Sequence, residues 1–391
     1  MKQEILQKLE QARNGKVPEG WTLEPLENIL KLEAREVDKP KEPYWRLGLR
    51  SHAKGSWYQL IEDPSTVDMD KLYVVKENDL ILNITFAWEH AITIANKEDE
   101  GKLVSHRFPT FTFRKGNDPS FFGQLIKTSR FKYNLDVASP GGAGRNRVLN
   151  KKEFLQIEIL RPPFEEQKKI AKILSQIDLK IKSLNNLVSS KTNFRREILK
   201  KLLTQKIRFP EFNSDWKDCK LIDLLDYMQP TKYICNKIIS YSDKLIPVLT
   251  ANKSFILGST KETGGIFEDL PVIIFDDFTT NKKYVDFPFK VRSGALKILK
   301  PKSRDLNLKF IFELMQTINV VQGNHKRYYI SEYQHVKIKI PCEEEQKKIT
   351  EFADFLQKEI TNRERELKEL KKQKTGLIQL LLNGIVRVKV D

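Results

Sequence analysis

A nine-residue motif occurs twice in this chain, and the second copy restricts the fold more than any other feature. Residues Pro162 to Ile170 read PPFEEQKKI and Pro341 to Ile349 read PCEEEQKKI, an offset of 179 residues. Each copy opens a long, charged run with helical patterning. The correspondence lasts to the ends of those runs, where Leu202-Leu203-Thr204-Gln205-Lys206-Ile207 faces Leu381-Leu382-Asn383-Gly384-Ile385-Val386. A repeat of that length predicts two similar halves and a function that is two-fold as well.

A second echo makes the repeat circular. EILQKL at Glu4 to Leu9 nearly duplicates EILKKL at Glu197 to Leu202, and a Pro and a Trp follow each: Pro18 and Trp21, then Pro210 and Trp216. The chain thus begins with the tail of a repeat whose body lies at the other end. Residues 1–16 are expected to form a helical segment packed near the end of the second long helix.

Between these markers lie two globular regions, residues 17–161 and 209–340, with the same order of elements. The first has strand candidates at Tyr73 to Val75, Leu80 to Leu82, Ala91 to Ala95, Phe108 to Phe113 and Leu155 to Leu160, with a short helix around Phe121 to Ile126. The second has strand candidates at Leu245 to Leu249, Val272 to Phe275, Ala295 to Leu299 and Val336 to Ile340, with a helix over Phe310 to Ile318. Short apolar runs separated by Gly, Pro and Asn-Asp are β-rich patterns. Outside their edges the regions share little sequence, which suggests one fold with two different surfaces.

Residues 162–208 and 341–391 hold the long helices. Each starts where a Pro ends a strand and acidic residues enter the first turn, as the positive helix N-terminus favours. Ile170, Leu174, Ile177, Ile181, Leu184 and Val188 alternate steps of four and three, as do Ile349, Ala353, Leu356, Ile360, Leu367, Leu370, Leu377 and Leu381 around Arg363 and Lys374. That is a coiled-coil seam. Lys191 and Arg195 fall on it in the first helix as Arg363 and Lys374 do in the second, so a charged zone is expected either to interrupt the interface there or to be met by a partner's acids. Antiparallel pairing is expected because the second globular region must return the chain. At ~1.5 Å per residue such a helix is a rod of roughly 60 Å, able to act as a ruler between two contacts on a duplex.

Charge points to the partner. Lys plus Arg number 69 against 52 Asp plus Glu, a formal charge of +17 with a pI near 9.5, which favours a polyanion such as nucleic acid. Three cysteines without CxxC spacing fit a reducing cytoplasm and give no zinc knuckle. The first residues, MKQEILQKLEQ, have no signal-peptide core, and no run nears the roughly 18 apolar residues of a membrane span. A cytoplasmic protein without membrane contact is expected.

With these motifs in place, the chain resembles the DNA-specificity subunits of type I restriction-modification systems over nearly its whole length. The resemblance rests on the doubled Pro…Glu-Gln-Lys-Lys-Ile opening of each long helix after a β-rich region, with Gly-Gly-x-Gly-Arg and Pro…Trp at the domain borders. The second copy departs in having Cys342 where the first has Pro163. It implies an α+β fold: two β-rich target-recognition domains separated by two long antiparallel coiled-coil helices, in a pseudo-two-fold circular repeat. It further implies that each domain reads one part of an asymmetric, split site in double-stranded DNA. The helices would dock two modification (methyltransferase) subunits, and motor-nuclease restriction subunits would join for cleavage. The chain would carry no cofactor and no catalysis of its own. Methylation of adenine with S-adenosylmethionine belongs to the modification subunit, and ATP with Mg to the restriction subunit.

The foremost DNA-contact candidates are two basic loops at matching places. Gly144, Arg145, Asn146 and Arg147 lie on a Gly-rich loop that allows close approach, and Arg binds guanine bidentately. His325, Lys326, Arg327 and Tyr328 occupy the corresponding place in the second half. The competing reading is a solvated turn with Arg147 or Arg327 paired to a local carboxylate. Further candidates are Arg46, Arg50 and Lys54 among Trp45, Ser51 and Trp57, and the polar loop Thr279, Thr280, Asn281, Lys282 and Lys283. Ordinary surface or core packing explains each of these equally well.

Catalytic lookalikes fail. Arg161-Pro162-Pro163-Phe164 has Arg where an amino-methyltransferase needs an acceptor, Gly141-Gly142-Ala143-Gly144 lacks the Lys-Ser/Thr of a phosphate loop, and the five histidines have no metal spacing. Two rival readings remain: the specificity subunit of a two-component enzyme cutting beside its site, and a coiled-coil adaptor that binds only protein.

Overall fold

The computed structural model describes residues 16–141, 147–251, 254–303, 305–318 and 327–389. The α+β chain forms two compact units: residues 1–184 with 366–391, and residues 185–365. Two 40-residue helices, Phe164–Leu203 (the central helix) and Glu343–Leu382 (the distal helix), each contribute one half to each unit.

In the first unit a two-stranded antiparallel frame, Thr22–Pro25 against Glu158–Arg161, brings the start of the domain to its end. A four-stranded sheet follows in the order Leu30–Leu32, Thr110–Phe113, Leu80–Leu82, Ile92–Ile94, and a five-stranded sheet in the order Glu36–Asp38, Lys71–Val74, Leu103–Val104, Tyr44–Leu49, Ser56–Ile61. The strand Leu80–Leu82 shows why this run is apolar throughout. Leu80 and Leu82 enter a core with Trp21, Phe121, Leu174 and Leu381, while Ile81 points the other way into a core with Leu47 and Val104. A strand covered on both faces has no polar side to show.

The second unit repeats the plan. Lys217–Lys220 pairs with Lys337–Ile340, and a four-stranded sheet runs Leu225–Met228, Leu296–Pro301, Val272–Asp276, Lys282–Val285. Ile273 and Phe275 enter a core with Trp216, Phe310 and Leu199. Val272 and Ile274 face the opposite core, shared with Leu249 and Val291 of the three-stranded sheet Ile256–Thr260, Ile246–Leu249, Lys290–Val291.

In each unit the first half of one long helix lies beside the last half of the other, which is antiparallel packing. Ile170 and Leu174 share a core with Leu381 and Leu382 in the first unit. Leu199, Leu202 and Leu203 share one with Ile349 and Ala353 in the second. Leu184, Ile360 and Leu367 are buried, whereas Ile177, Ile181, Val188, Leu356, Leu370 and Leu377 are half-buried. The seam's basic residues find acids inside the chain: Lys374 Nζ meets Asp178 at 2.5 Å, Lys191 meets Glu359 at 3.4 Å and Arg195 meets Glu313 at 2.5 Å. These three therefore need no partner's acids, one of the two outcomes expected from the sequence.

The helices Pro119–Leu125 and Leu308–Gln316 correspond, each capped by a side chain that accepts from the third residue's N–H, Asp118 to Phe121 and Asn307 to Phe310. Gln124 then corresponds to Glu313. In the first unit Gln124 Nε2 donates to Asp178 at 3.2 Å; in the second, Gln357 stands at the place of Asp178 and the acid is Glu313. Each unit thus has one acid for one cation, drawn from different elements.

One strand expectation needs correction. Leu155 to Leu160 begins as the helix Lys151–Leu155, because Asn150 accepts from the N–H groups of Lys152 and Glu153, and only Glu158–Arg161 is strand. The expected N-terminal helix over residues 1–16 lies, but for Lys16, outside the described residues. Val17 and Trp21 do pack in the core that holds Leu381 and Leu382.

Candidate nucleic-acid interface

The repeated motif makes the same joint in both units. Glu166 is buried, and it accepts from Trp21 Nε1 at 3.0 Å, from Arg387 Nε at 2.9 Å and Nη2 at 2.8 Å, and from Val388 N at 3.2 Å. Glu345 is equally buried, and it accepts from Trp216 Nε1 at 3.1 Å and from Arg208 Nε at 3.0 Å and Nη2 at 2.7 Å. Gln167 and Gln346 each donate to the carbonyl of the Pro that ends the preceding strand, Pro162 at 2.8 Å and Pro341 at 3.0 Å. Arg208 and Arg387 are themselves 179 residues apart, so the joint obeys the motif's own offset. Burial alone would raise the Glu166 carboxyl, but Arg387, Trp21 and the Val388 amide together hold it below its ordinary range. The sequence marked the Trp and the Glu separately; their pairing, and the Arg beyond each helix, gave no local signal.

On these joints sit the candidate DNA-contacting residues. In the first unit Tyr44–Leu49 and Ser56–Ile61 form a hairpin, with Arg46 opposite Gln59 and Gly48 opposite Trp57. Arg46 Nη2 donates to Gln59 Oε1 at 2.5 Å. The Trp57 indole lies on Gly48, where a Cβ would come within 2.3 Å of its Cε2. Arg46, Gln59 and Trp57 therefore share one face of the hairpin with Tyr44 and Ile61, which are buried farther along it. Arg50 donates to the Ser56 carbonyl at 3.0 Å. The turn is held by His52 N and Ala53 N, which donate to the carbonyls of Glu89 and His90 at 2.9 and 2.7 Å, leaving Lys54 exposed at the tip.

Arg147 is engaged within the domain. Its guanidinium donates to the Ser139 and Asp136 carbonyls at 3.0 and 2.7 Å, meets the Asp136 carboxylate at 2.9 Å and lies 5.7 Å from the Trp88 ring. This arrangement is the local pairing considered for it, and it leaves few donors for a ligand. Gly144, Arg145, Asn146, His325 and Lys326 lie outside the described residues.

In the second unit the structure brings two separate candidates together. Asp276 Oδ1 accepts from Phe278 N at 3.1 Å and Thr279 N at 2.8 Å, folding the loop in which Thr280 adopts a left-handed φ of 54°. Asp277 accepts from Tyr328 N at its carbonyl (3.0 Å) and from Tyr329 N at its carboxylate (2.9 Å). Arg327, exposed, is thereby placed beside the loop that carries Thr280. Tyr328 is 2% exposed and packs inward, so its ring is a core group and not a base contact in this conformation. Lys282 Nζ donates to Tyr333 Oη at 2.9 Å, and burial lowers its pKa to about 8. Lys283 lies 6.0 Å from the Phe255 ring. Below the loop, Asp277 and Lys297 form an ion pair at 3.4 Å with both side chains 1% exposed.

Among the described residues, no group of three His, Cys, Asp or Glu side chains could hold a metal ion, and no helix is long and apolar enough to cross a membrane.

Residues 19–191 match the family model of the type I restriction modification DNA specificity domain. A stretch of 127 residues is 46% identical to the type I restriction enzyme EcoR124I/EcoR124II specificity subunit of Escherichia coli, a match that spans 31% of each chain. Along 96% of both chains, this one is 24% identical to the putative type I restriction enzyme MjaX specificity subunit of Methanocaldococcus jannaschii. The solved type I restriction-modification S subunit from M. genitalium shares the fold, with a TM-score of 0.62 at 15% identity over 94% of this chain and 97% of that one. The doubled motif at the joints and these likenesses agree: residues 19–191 match the type I restriction modification DNA specificity domain, and the chain along nearly its whole length is similar to specificity subunits of type I restriction enzymes.

Proposed function

We propose that this chain binds double-stranded DNA and reads an asymmetric, discontinuous sequence, one half through residues 17–161 and the other through 209–340. The observation that carries this reading is the duplicated Trp–Glu–Arg joint. It ties two domains of similar plan but different surface to the same two helices, which is what two independent readers on one frame require. The basic composition and the cationic residues around Arg46 and Arg327 supply phosphate and base contacts, of which phosphate contacts position and base contacts specify.

The long helices dock two methyltransferase subunits, with motor-nuclease subunits joining the assembly. In support, Leu187 and Phe194 of the central helix and Phe355 of the distal helix are 40%, 55% and 61% exposed in the second unit, apolar surface that no described residue of this chain covers. The chain itself transfers no group: S-adenosylmethionine belongs to the methyltransferase, and ATP with Mg to the motor-nuclease.

The test is the methylated motif in DNA from cells that express the chain with its methyltransferase. It should be discontinuous. Exchanging residues 209–340 for those of a relative should change one half of that motif and keep the other. A continuous motif, or an exchange that alters both halves or neither, refutes the reading.

A further inference from the structure

Each unit has a groove between a long helix and its recognition domain, and the grooves are built on the same helix positions. In the second unit Arg196, Lys200 and Leu203 of the central helix form one wall of a cavity of about 560 Å³, and Lys282 and Lys283 form another. In the first unit Thr375, Gln379 and Leu382 of the distal helix hold the corresponding places. Each pair is 179 residues apart, the offset of the motif itself. The fold therefore needs Leu at the third position and does not need the two cations: Thr and Gln serve in the other copy.

The charges of the second groove are concentrated, and its cations outnumber its carboxylates. Five cations line it against two carboxylates, Glu313 and Glu197, which Arg195 and Arg196 meet at 2.5 and 3.3 Å. Lys200 is exposed, with no partner among the described residues. Lys282 is oriented, because Tyr333 Oη accepts from its ammonium at 2.9 Å and in turn donates to the Met315 carbonyl at 3.0 Å. That leaves two ammonium protons for an acceptor. The strand bearing Lys282 continues from the loop that holds Thr280 beside Arg327, so the groove adjoins the candidate DNA face.

We propose that this groove of the second unit seats backbone phosphates of the DNA duplex through Arg196 and Lys200, cations that the first unit's groove, lined by Lys127 and Arg130 on the domain side, does not have at those helix positions. The proposal rests on the DNA-reading function above and locates a sequence-independent part of it. A phosphate suits the groove better than an acidic protein surface does, because protein interfaces are depleted of Lys at their centres while phosphate contacts are made by Lys and Arg. A bound phosphate would also favour the charged form of Lys282 and raise its pKa back toward the ordinary value, against the burial that lowers it.

The experiment uses the full chain assembled with its methyltransferase and a duplex carrying the methylated motif. Arg196→Thr with Lys200→Gln gives the second groove the residues of the first. The slope of log affinity against log salt should fall by about 0.9 for each phosphate that is no longer neutralised, with the methylated motif unchanged. The reciprocal pair, Thr375→Arg with Gln379→Lys, should steepen the slope, a gain that misfolding cannot imitate. Unchanged slopes for both pairs overturn the proposal. So does a first pair that weakens only assembly with the methyltransferase, which would assign the groove to an acidic protein surface. Failure of the DNA-reading function itself would appear separately, as a wild-type complex without a discontinuous motif.

Discussion

Replacing Arg387 with Ala tests whether the two ends of the chain are joined through the first recognition domain. Arg387 gives Glu166 two charge-assisted hydrogen bonds, at 2.9 and 2.8 Å, and the Glu166 side chain is 2% exposed. Bonds to a charged group contribute roughly 1.5–3 kcal/mol. The Arg387 side chain is 41% exposed, so water partly refills its place, and Trp21 and the Val388 amide remain as donors. The net loss is then about 1–2 kcal/mol after that screening. For a unit of this size it corresponds to a fall of roughly 3–6 °C in the unfolding midpoint. Hydrogen exchange read by mass spectrometry should show faster exchange around Trp21 and residues 162–170, with residues 209–220 unchanged. Arg208→Ala should give the reverse pattern.

Acid provides a second check on the same variant. The folded pKa of Glu166 is depressed below its ordinary 4.5, so its stabilisation is present above that pH and is lost as pH falls through the folded value. The gap between Arg387→Ala and wild type should be widest near neutrality and narrow below about pH 4. If Arg387→Ala leaves residues 162–170 as protected as before, or loosens the second unit instead, the joint has been misjudged.

Two other predictions concern the second unit. Because Lys282 has a folded pKa of about 8 against an ordinary 10.5, the unfolded chain holds more protons between those values, so stability should rise with pH across that window. Denaturant titrations at pH 7.5 and 9.5 should show that rise in wild type and not in Lys282→Met, and wild-type DNA affinity should fall over the same range. Lys297→Met strands the buried Asp277 carboxylate and should cost about 3–5 kcal/mol, while Lys297→Met with Asp277→Asn should recover most of it in the same denaturant assay.

Periodicity and repetition made the frame legible. The doubled motif, the circular echo and the four-three spacing of Ile170 to Val188 all belong to local sequence, and the long helices follow from them. What depends on distant pairing was not legible. Trp21 and Glu166 are 145 residues apart, and Trp216 and Glu345 are 129 apart, so neither pair leaves a mark in any window. The acids that meet Lys374, Lys191 and Arg195 are likewise remote, which is why those cations read as a break in the interface or as sockets for a partner. The candidate site was readable only in outline. A basic loop near Arg327 and a second near Lys282 stood out by composition, but nothing in the local sequence marked Asp277, which brings them together. Tyr328 looked exposed beside charged neighbours, and only the fold shows that it turns inward.

The joint at Glu166 also sets an order of events during synthesis. The second unit is a continuous stretch, residues 185–365, and every group of its Trp–Glu–Arg joint has been synthesised once that stretch is made. The first unit begins earlier but needs residues 366–389, which are translated after the second unit, to cover Leu174 and to meet Glu166. Domains ordinarily fold in the order they emerge. Here the domain made first must wait, its half of the central helix uncovered, until the later domain is complete. Chains truncated after residue 365 and released from the ribosome should therefore hold a folded second unit beside a first that is still open to protease.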